Sequence, residues 1–207
     1  TNGVRDNGVT AMYAFPELTA AARAQLQGLI GTSTRGAQDL LDRFDRWGQD
    51  LIEAFAQLYP IETALPQLIE VLAAAHLNRD EELQQRDRER VLEQDWFQSE
   101  QTIGYVAYAD LFAKNLKGIN KRIPYLKDLG ITYLHLLPIL KPRPGANDGG
   151  YAVMDYRALR EDLGSMKELR STADKLHDSG ISLTLDLVLN HVAQEHEWAE
   201  KARAGEA

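Results

Sequence analysis

The sequence predicts an all-helical domain followed by the opening strands of a parallel α/β sheet. Three observations carry that reading. In the first hundred positions apolar residues recur every three or four places, as they do along one face of a helix. From about residue 100, short apolar runs alternate with helical stretches, the pattern that crossover connections in a parallel sheet require. Charge divides at the same place. Residues 1–100 hold 9 Arg, no Lys and 17 acidic residues, whereas 101–207 hold 14 residues of each sign. The domain boundary is placed accordingly, with a helical domain over 1–97 and a strand-containing domain over 98–207.

The opening stretch TNGVRDNGVTAMYAFP lacks a basic start followed by an apolar run, so it predicts a frayed terminus and not a secretion signal. In GAQDLLDRFDRWGQDLIEAFAQLYP, the residues Leu40, Phe44, Trp47, Leu51, Phe55 and Leu58 step by three or four and form one stripe down a helix. Leu65, Leu68, Leu72 and Ala75 repeat the spacing after the Tyr59-Pro60 break, and an antiparallel pair would bury both stripes. The run NRDEELQQRDRER, 78–90, is charged on nearly every side and fits a solvated helix or a mobile connection. This half shows no recognisable chemistry.

YVAYADLF, 105–112, predicts a buried strand, and LKGINKRIPYLKDLG a helix that Gly130 stops. ITYLHLLPI, 131–139, is the second strand. A long excursion rich in Pro and Gly follows. Ser165 and Glu168 then form an S-x-x-E capping box ahead of a helix carrying Leu169, Ala173 and Leu176, which Gly180 ends. ISLTLDLVLNH, 181–191, is the third strand.

Composition excludes several functions. A net charge of −8 argues against nucleic acid, because phosphate contact needs a basic surface. No apolar run approaches the roughly 20 residues of a membrane helix. Zero cysteines exclude disulfides and thiolate metal sites. The absent secretion signal leans towards a cytoplasmic location, while zero cysteines fit a reducing compartment and many exported bacterial proteins alike, so secretion stays open.

Two parallel architectures compete. A doubly wound nucleotide fold calls for G-x-G-x-x-G or G-x-x-x-x-G-K-[ST], and neither occurs. A (β/α)8 barrel places its site at the carboxyl ends of its strands, where this sequence clusters polar residues after Ile139 and at Asp186, Asn190 and His191. The excursion ends on Asp148, Gly149, Gly150 and Tyr151, turn chemistry joined to an aromatic ring, although any tight turn uses such residues. His135, inside an apolar strand, and His177, on a helix, read as structural. His191, Glu195 and His196 lack the H-E-x-x-H spacing, so no metal site is expected. Asp155 and Tyr156 read as loop packing.

At these residues the chain resembles a known family. DLVLNH at 186–191, together with YLHLLPI and DGGYAVMDYR, resembles the first conserved block and its neighbours in the α-amylase superfamily. QTIGYVAYADLFAKNLKGINKRIPYLKDLGITYLHLLPILK and NHVAQEHEWAEKARAGE further resemble the amylosucrases and the similar sucrose hydrolases, which carry a helical domain ahead of the barrel. The resemblance implies an N-terminal all-α domain followed by the first part of a (β/α)8 TIM barrel. It implies three substrate-binding residues: Asp148 on hydroxyls of the glucosyl ring, Tyr151 as a stacking platform, and His191 donating to a glucosyl hydroxyl. Asp186 and Asn190 would support the strand end and its loops.

The implied reaction is glucosyl transfer from sucrose to an α-glucan with release of fructose, by retaining double displacement without a cofactor. By the same resemblance the nucleophile and the acid/base follow the fourth and fifth strands. The roughly 107 residues from 101 onward have room for about three βα units of a barrel of about 250. This chain is therefore expected to contain no catalytic residue and to be inactive alone. The alternatives are a sucrose hydrolase, an α-glucosidase or trehalose-forming relative, and, from another class, a non-catalytic carbohydrate-binding or scaffolding homologue.

Overall fold

The computed structural model describes residues 14–146 and 148–206. The chain divides into two compact units, Thr1–Gln94 and Asp95–Ala207. Among its described residues the first holds four helices, α1 (Phe15–Ile30), α2 (Ala37–Ala56), α3 (Ile61–Leu77) and α4 (Glu81–Leu92). Of the opening stretch, residues 1–13 lie outside the described residues. Phe15 and Pro16 are not frayed but begin α1, where Pro suits a first turn whose N–H groups have no helical partner.

The helical stripes are where the structure departs from the spacing argument. On α2 the buried line is Ala37, Leu41, Phe44, Gly48 and Ile52. Trp47, Leu51 and Leu58 are instead 60%, 39% and 77% exposed. On α3 it is Ile61, Leu65, Ile69, Ala73 and His76, with Ala75 exposed. The cause is α1. It packs against both α2 and α3 more extensively than they pack against each other, so both turn their buried faces towards a three-helix core and not towards a pair. Leu26, Ile52 and Ile69 are fully enclosed there. The charged run at 78–90 forms most of α4, with Glu81 and Glu82 in its first turn, where the helix dipole favours acids. Arg79 clasps the Asp87 carboxylate through two hydrogen bonds of 2.6 and 2.8 Å.

In the second unit a short 3₁₀ turn, Trp96–Gln98, precedes β1 (Gly104–Ala107), α5 (Ala109–Ala113), α6 (Leu116–Asp128) and β2 (Tyr133–Leu136). Next come β3 (Leu140–Pro142), β4 (Val153–Leu159), α7 (Met166–Asp178), β5 (Ser182–Leu185) and α8 (Glu197–Ala204). Strands β1, β2 and β5 form a parallel sheet in that order. The predicted alternation of strands and helices is thus present. Each strand is shorter than its apolar run, because the run continues into the strand-end loop. Residues 105–112, read as one strand, split between β1 and α5, and the strand in 181–191 stops at Leu185. The long excursion contains an antiparallel hairpin of β3 and β4, with register shifts between Leu140 and Lys141 and between Lys141 and Pro142.

The core joins Ile119, Ile123 and Leu126 of α6 to Leu134 and Leu136 of β2, Leu176 of α7 and Ile181. Leu134 and Leu136 are fully buried, whereas Tyr133 and His135, which alternate with them, are only half-buried. One face of the central strand thus meets the helices and the other bears the polar side chains. Val106, in register with His135 on that second face, is 60% exposed. Ser165 accepts from the Glu168 N–H at 3.3 Å while Glu168 accepts from the Ser165 N–H at 2.8 Å, completing the predicted box on α7.

Candidate functional site

The predicted site residues leave the sheet at the carboxyl ends of its strands. Asp186 follows β5 directly, and Tyr108 follows β1. Asp148 and Tyr151 lie between the two strands of the hairpin. That loop turns sharply at Gly149 and Gly150, with φ of +81° and +97°. A Cβ at Gly149 would stand 2.9 Å from the Tyr108 hydroxyl oxygen, and one at Gly150 3.2 Å from Pro138 Cβ and 3.3 Å from its carbonyl oxygen. Positive φ and close approach both require glycine. The Gly-Gly pair thus brings the loop against the ends of β1 and β2.

Asp186 is the centre of the arrangement. Its Oδ1 lies 2.8 Å from His135 Nε2, and its Oδ2 accepts from the Tyr151 hydroxyl at 3.0 Å. Burial, followed by the hydrogen bond to Asp186, raises the Tyr151 phenol above its ordinary range, and the Tyr108 and Asp148 side chains add to the effect. Those four side chains therefore share one electrostatic neighbourhood. Asp148 is exposed, and its Oδ1 accepts from the Ala152 N–H at 2.8 Å, which closes the loop on itself and leaves Oδ2 for another donor. Asn190 and His191 form a separate exposed pair, with Asn190 Nδ2 3.3 Å from His191 Nδ1. Tyr156 ties that segment to β4 by donating its hydroxyl to the Val188 carbonyl, with the His191 carbonyl at 3.4 Å.

The structure thus brings Asp148, Tyr151 and Asp186 together and sets Asn190 and His191 further along the same strand-end segment. It adds two residues. His135, which the sequence reads as structural, reaches the Asp186 carboxylate because alternation along YLHL turns it to the face opposite the buried leucines. Tyr108 packs its hydroxyl on Gly149. Its signal is its place one residue beyond β1, which a continuous strand over 105–112 conceals. His196, whose nearness to His191 and Glu195 raises the question of a metal site, is buried and accepts from the Trp198 N–H at 3.1 Å, capping α8.

A cleft of about 920 Å³ adjoins this cluster and shares Tyr108 and Gly149 with it, but Asp148, Tyr151 and His191 do not line it. Its lining carries Lys141 and Arg143 as well as Arg160, which donates to Asp110 at 2.9 Å and to Asp162 at 2.7 Å. The Asp162 bond, then Asp110, raises the Arg160 pKa.

A parallel sheet with helices packed on one face, and with aromatic and acidic side chains gathered at its strand ends, defines a barrel-type α/β domain. Residues 84–207 match the family described as "Alpha amylase, catalytic domain", and the chain belongs to that family. It is 36% identical over 89 residues to the oligo-1,6-glucosidase of Parageobacillus thermoglucosidasius, a stretch covering 43% of this chain and 16% of that protein. It is 32% identical over 111 residues to the 4-alpha-glucanotransferase of Thermotoga maritima, covering 50% of this chain and 24% of the other. Among solved structures, Bacillus licheniformis trehalose-6-phosphate hydrolase aligns with a TM-score of 0.48 and 29% identity, covering 54% of this chain and 20% of that one. The chain therefore spans about a quarter or less of the length of these proteins.

Proposed function

We propose that the whole protein is an amylosucrase-like glucosyltransferase that takes glucose from sucrose and passes it to an α-glucan, and that this chain supplies part of the glucose pocket. The observation that carries this reading is the Asp186-held ring of Tyr151 beside Asp148 at the strand ends. Glucose offers an apolar face and a fan of hydroxyls. Tyr151 presents an aromatic face to the first, and Oδ2 of Asp148 accepts from the second. His191 donates to a further hydroxyl as charge develops at the anomeric carbon. Sucrose as donor is supported by the amylosucrase-like stretches from Gln101 to Lys141 and from Asn190 to Glu206.

In a retaining mechanism one carboxylate attacks the anomeric carbon as an acid protonates the departing fructosyl oxygen. The glucosyl-enzyme then passes glucose to the acceptor hydroxyl, with the two groups about 5 Å apart. We assign neither role to a residue of this chain, whose carboxylates at the site bind hydroxyls and hold the ring. A second reading, α-glucoside hydrolysis, draws on the match to an oligo-1,6-glucosidase.

The test is product analysis on the whole protein. Incubation with sucrose and glycogen is expected to release fructose and lengthen glucan chains in equal amounts. Release of equal glucose and fructose would favour a sucrose hydrolase, and turnover of isomaltose but not of sucrose would favour the glucosidase reading. Carbohydrate binding with no turnover of any α-glucoside would leave a binding homologue.

A further inference from the structure

His135 is given no role towards the sugar, yet it holds the most central acid of the site. In the parallel register His135 stands opposite Thr184, and Asp186 lies two residues beyond Thr184. Side chains two apart along an extended chain share a face, so the imidazole and the carboxylate emerge on the same side of the sheet. The 2.8 Å contact between Nε2 and Oδ1 follows from that placement. Because a carboxylate oxygen only accepts, Nε2 carries the proton. The second oxygen of the same carboxylate accepts from Tyr151 at 3.0 Å. With side chains only 26% and 19% exposed, His135 and Asp186 interact where water screens them less than on an open surface.

We propose that His135 is a positioning residue for the glucosyl pocket. It fixes the plane of the Asp186 carboxylate, so that Oδ2 stays on the Tyr151 hydroxyl and the ring keeps one orientation towards the sugar. The inference rests on the reading of Tyr151 as the stacking platform. Three segments meet at this one carboxylate: β2 through His135, the hairpin loop through Tyr151, and the end of β5 through Asp186 itself. Rotating the carboxylate breaks both bonds together. The phenol proton is committed to Asp186, so Tyr151 offers the sugar its face and not a donor. A side chain that never touches substrate thereby sets the geometry of one that does.

The test uses the whole protein and the variants His135→Phe, which fills the space without a donor, and His135→Gln, which restores an N–H on a flexible chain. With sucrose, and with p-nitrophenyl α-glucoside as a second probe, His135→Phe is expected to lower kcat/KM about tenfold, as small misplacements of binding groups do. His135→Gln is expected to recover most of it. In a Tyr151→Phe background, where the link is already cut, His135→Phe should cost no more than about twofold, because residues acting through one contact are not additive. Equal losses in the two backgrounds would overturn the proposal. A substrate-free measurement separates this outcome from failure of the functional reading. The phenol of Tyr151, isolated as the absorbance difference between proteins with and without Tyr151→Phe, should titrate lower in His135→Phe than with His135 present. An unchanged titration overturns the positioning role whatever sugar is turned over. A lowered titration in a protein that turns over no α-glucoside supports the link and removes the glucosyltransferase reading.

Discussion

The Tyr151 hydroxyl donates to Asp186 Oδ2 across 3.0 Å, joining a hairpin loop to the end of the third parallel strand. Burial first and this bond second raise the phenol above its ordinary value. Asp186→Asn keeps the size and removes the charge, so the Tyr151 phenol is expected to titrate closer to the ordinary tyrosine value near 10. Alkaline absorbance titration, with Tyr151→Phe as reference, reads this directly. The sign for stability follows from the raised folded-state value. The contribution is complete below about pH 10 and is lost as pH rises through the folded-state titration, and Asp186→Asn should flatten that alkaline loss.

At Gly149 and Gly150 the prediction is steric. Gly149→Ala meets the Tyr108 hydroxyl oxygen at 2.9 Å, and Gly150→Ala meets Pro138 at 3.2 Å, both at positive φ. Each is expected to cost about 1–2 kcal/mol from backbone strain alone. Urea unfolding should show both losses. The Gly150 loss should be the larger, because a proline ring and a carbonyl oxygen yield less than the end of a tyrosine side chain.

The capping box on α7 gives a third test. Ser165→Ala removes the acceptor for the Glu168 N–H and should destabilise the unit by about 1 kcal/mol. The Ser165 N–H, then the Lys117 ammonium, holds the Glu168 carboxyl below the usual range. Its contribution is therefore present above the ordinary glutamate pKa of about 4.3 and fades as pH falls through the lower folded-state value. Glu168→Gln should remove that part of the acid sensitivity, as read by thermal melts between pH 3 and 6.

The helical unit is expected to fold by itself, since α1, α2 and α3 enclose their own core of Leu26, Ile52 and Ile69. Residues 1–94 expressed alone should give a helical circular dichroism spectrum and a cooperative melt. Ile69→Ala in that piece should cost about 2–5 kcal/mol, the range for an aliphatic side chain removed from a closed core. A non-cooperative melt would mean that the helices need the strand-containing unit for their stability.

For the whole protein, Asp148→Asn is expected to lower kcat/KM on sucrose by a factor corresponding to about 2 kcal/mol, as for loss of a charged hydrogen bond. Oδ1 still accepts from Ala152, so the loop should keep its shape. Tyr151→Ala should be more damaging than Tyr151→Phe, which keeps the ring. Near-normal turnover in both Asp148→Asn and Tyr151→Ala would reduce this segment to an ordinary turn.

The sequence by itself determined the division into a helical and a strand-containing part, the helix stops at Gly130 and Gly180, and the Ser165 box. These depend on spacing and local backbone chemistry, which act within a few residues. It also held the strand-end residues Asp148, Tyr151, Asp186, Asn190 and His191, because they sit where apolar runs give way to turns. Tertiary structure decided which face of α2 is buried. Leu40, Phe44 and Trp47 satisfy helical spacing as well as Leu41, Phe44 and Ile52 do, and only the presence of α1 selects between them. It likewise decided that the loop before β4 is half of a hairpin, and that His135 meets Asp186. Those two residues are 51 positions apart, and nothing in local pattern fixes the register that pairs β2 with β5. That register is set by helices α6 and α7 packing on one face of the sheet, which leaves the imidazole, the carboxylate and the phenol to find one another on the other.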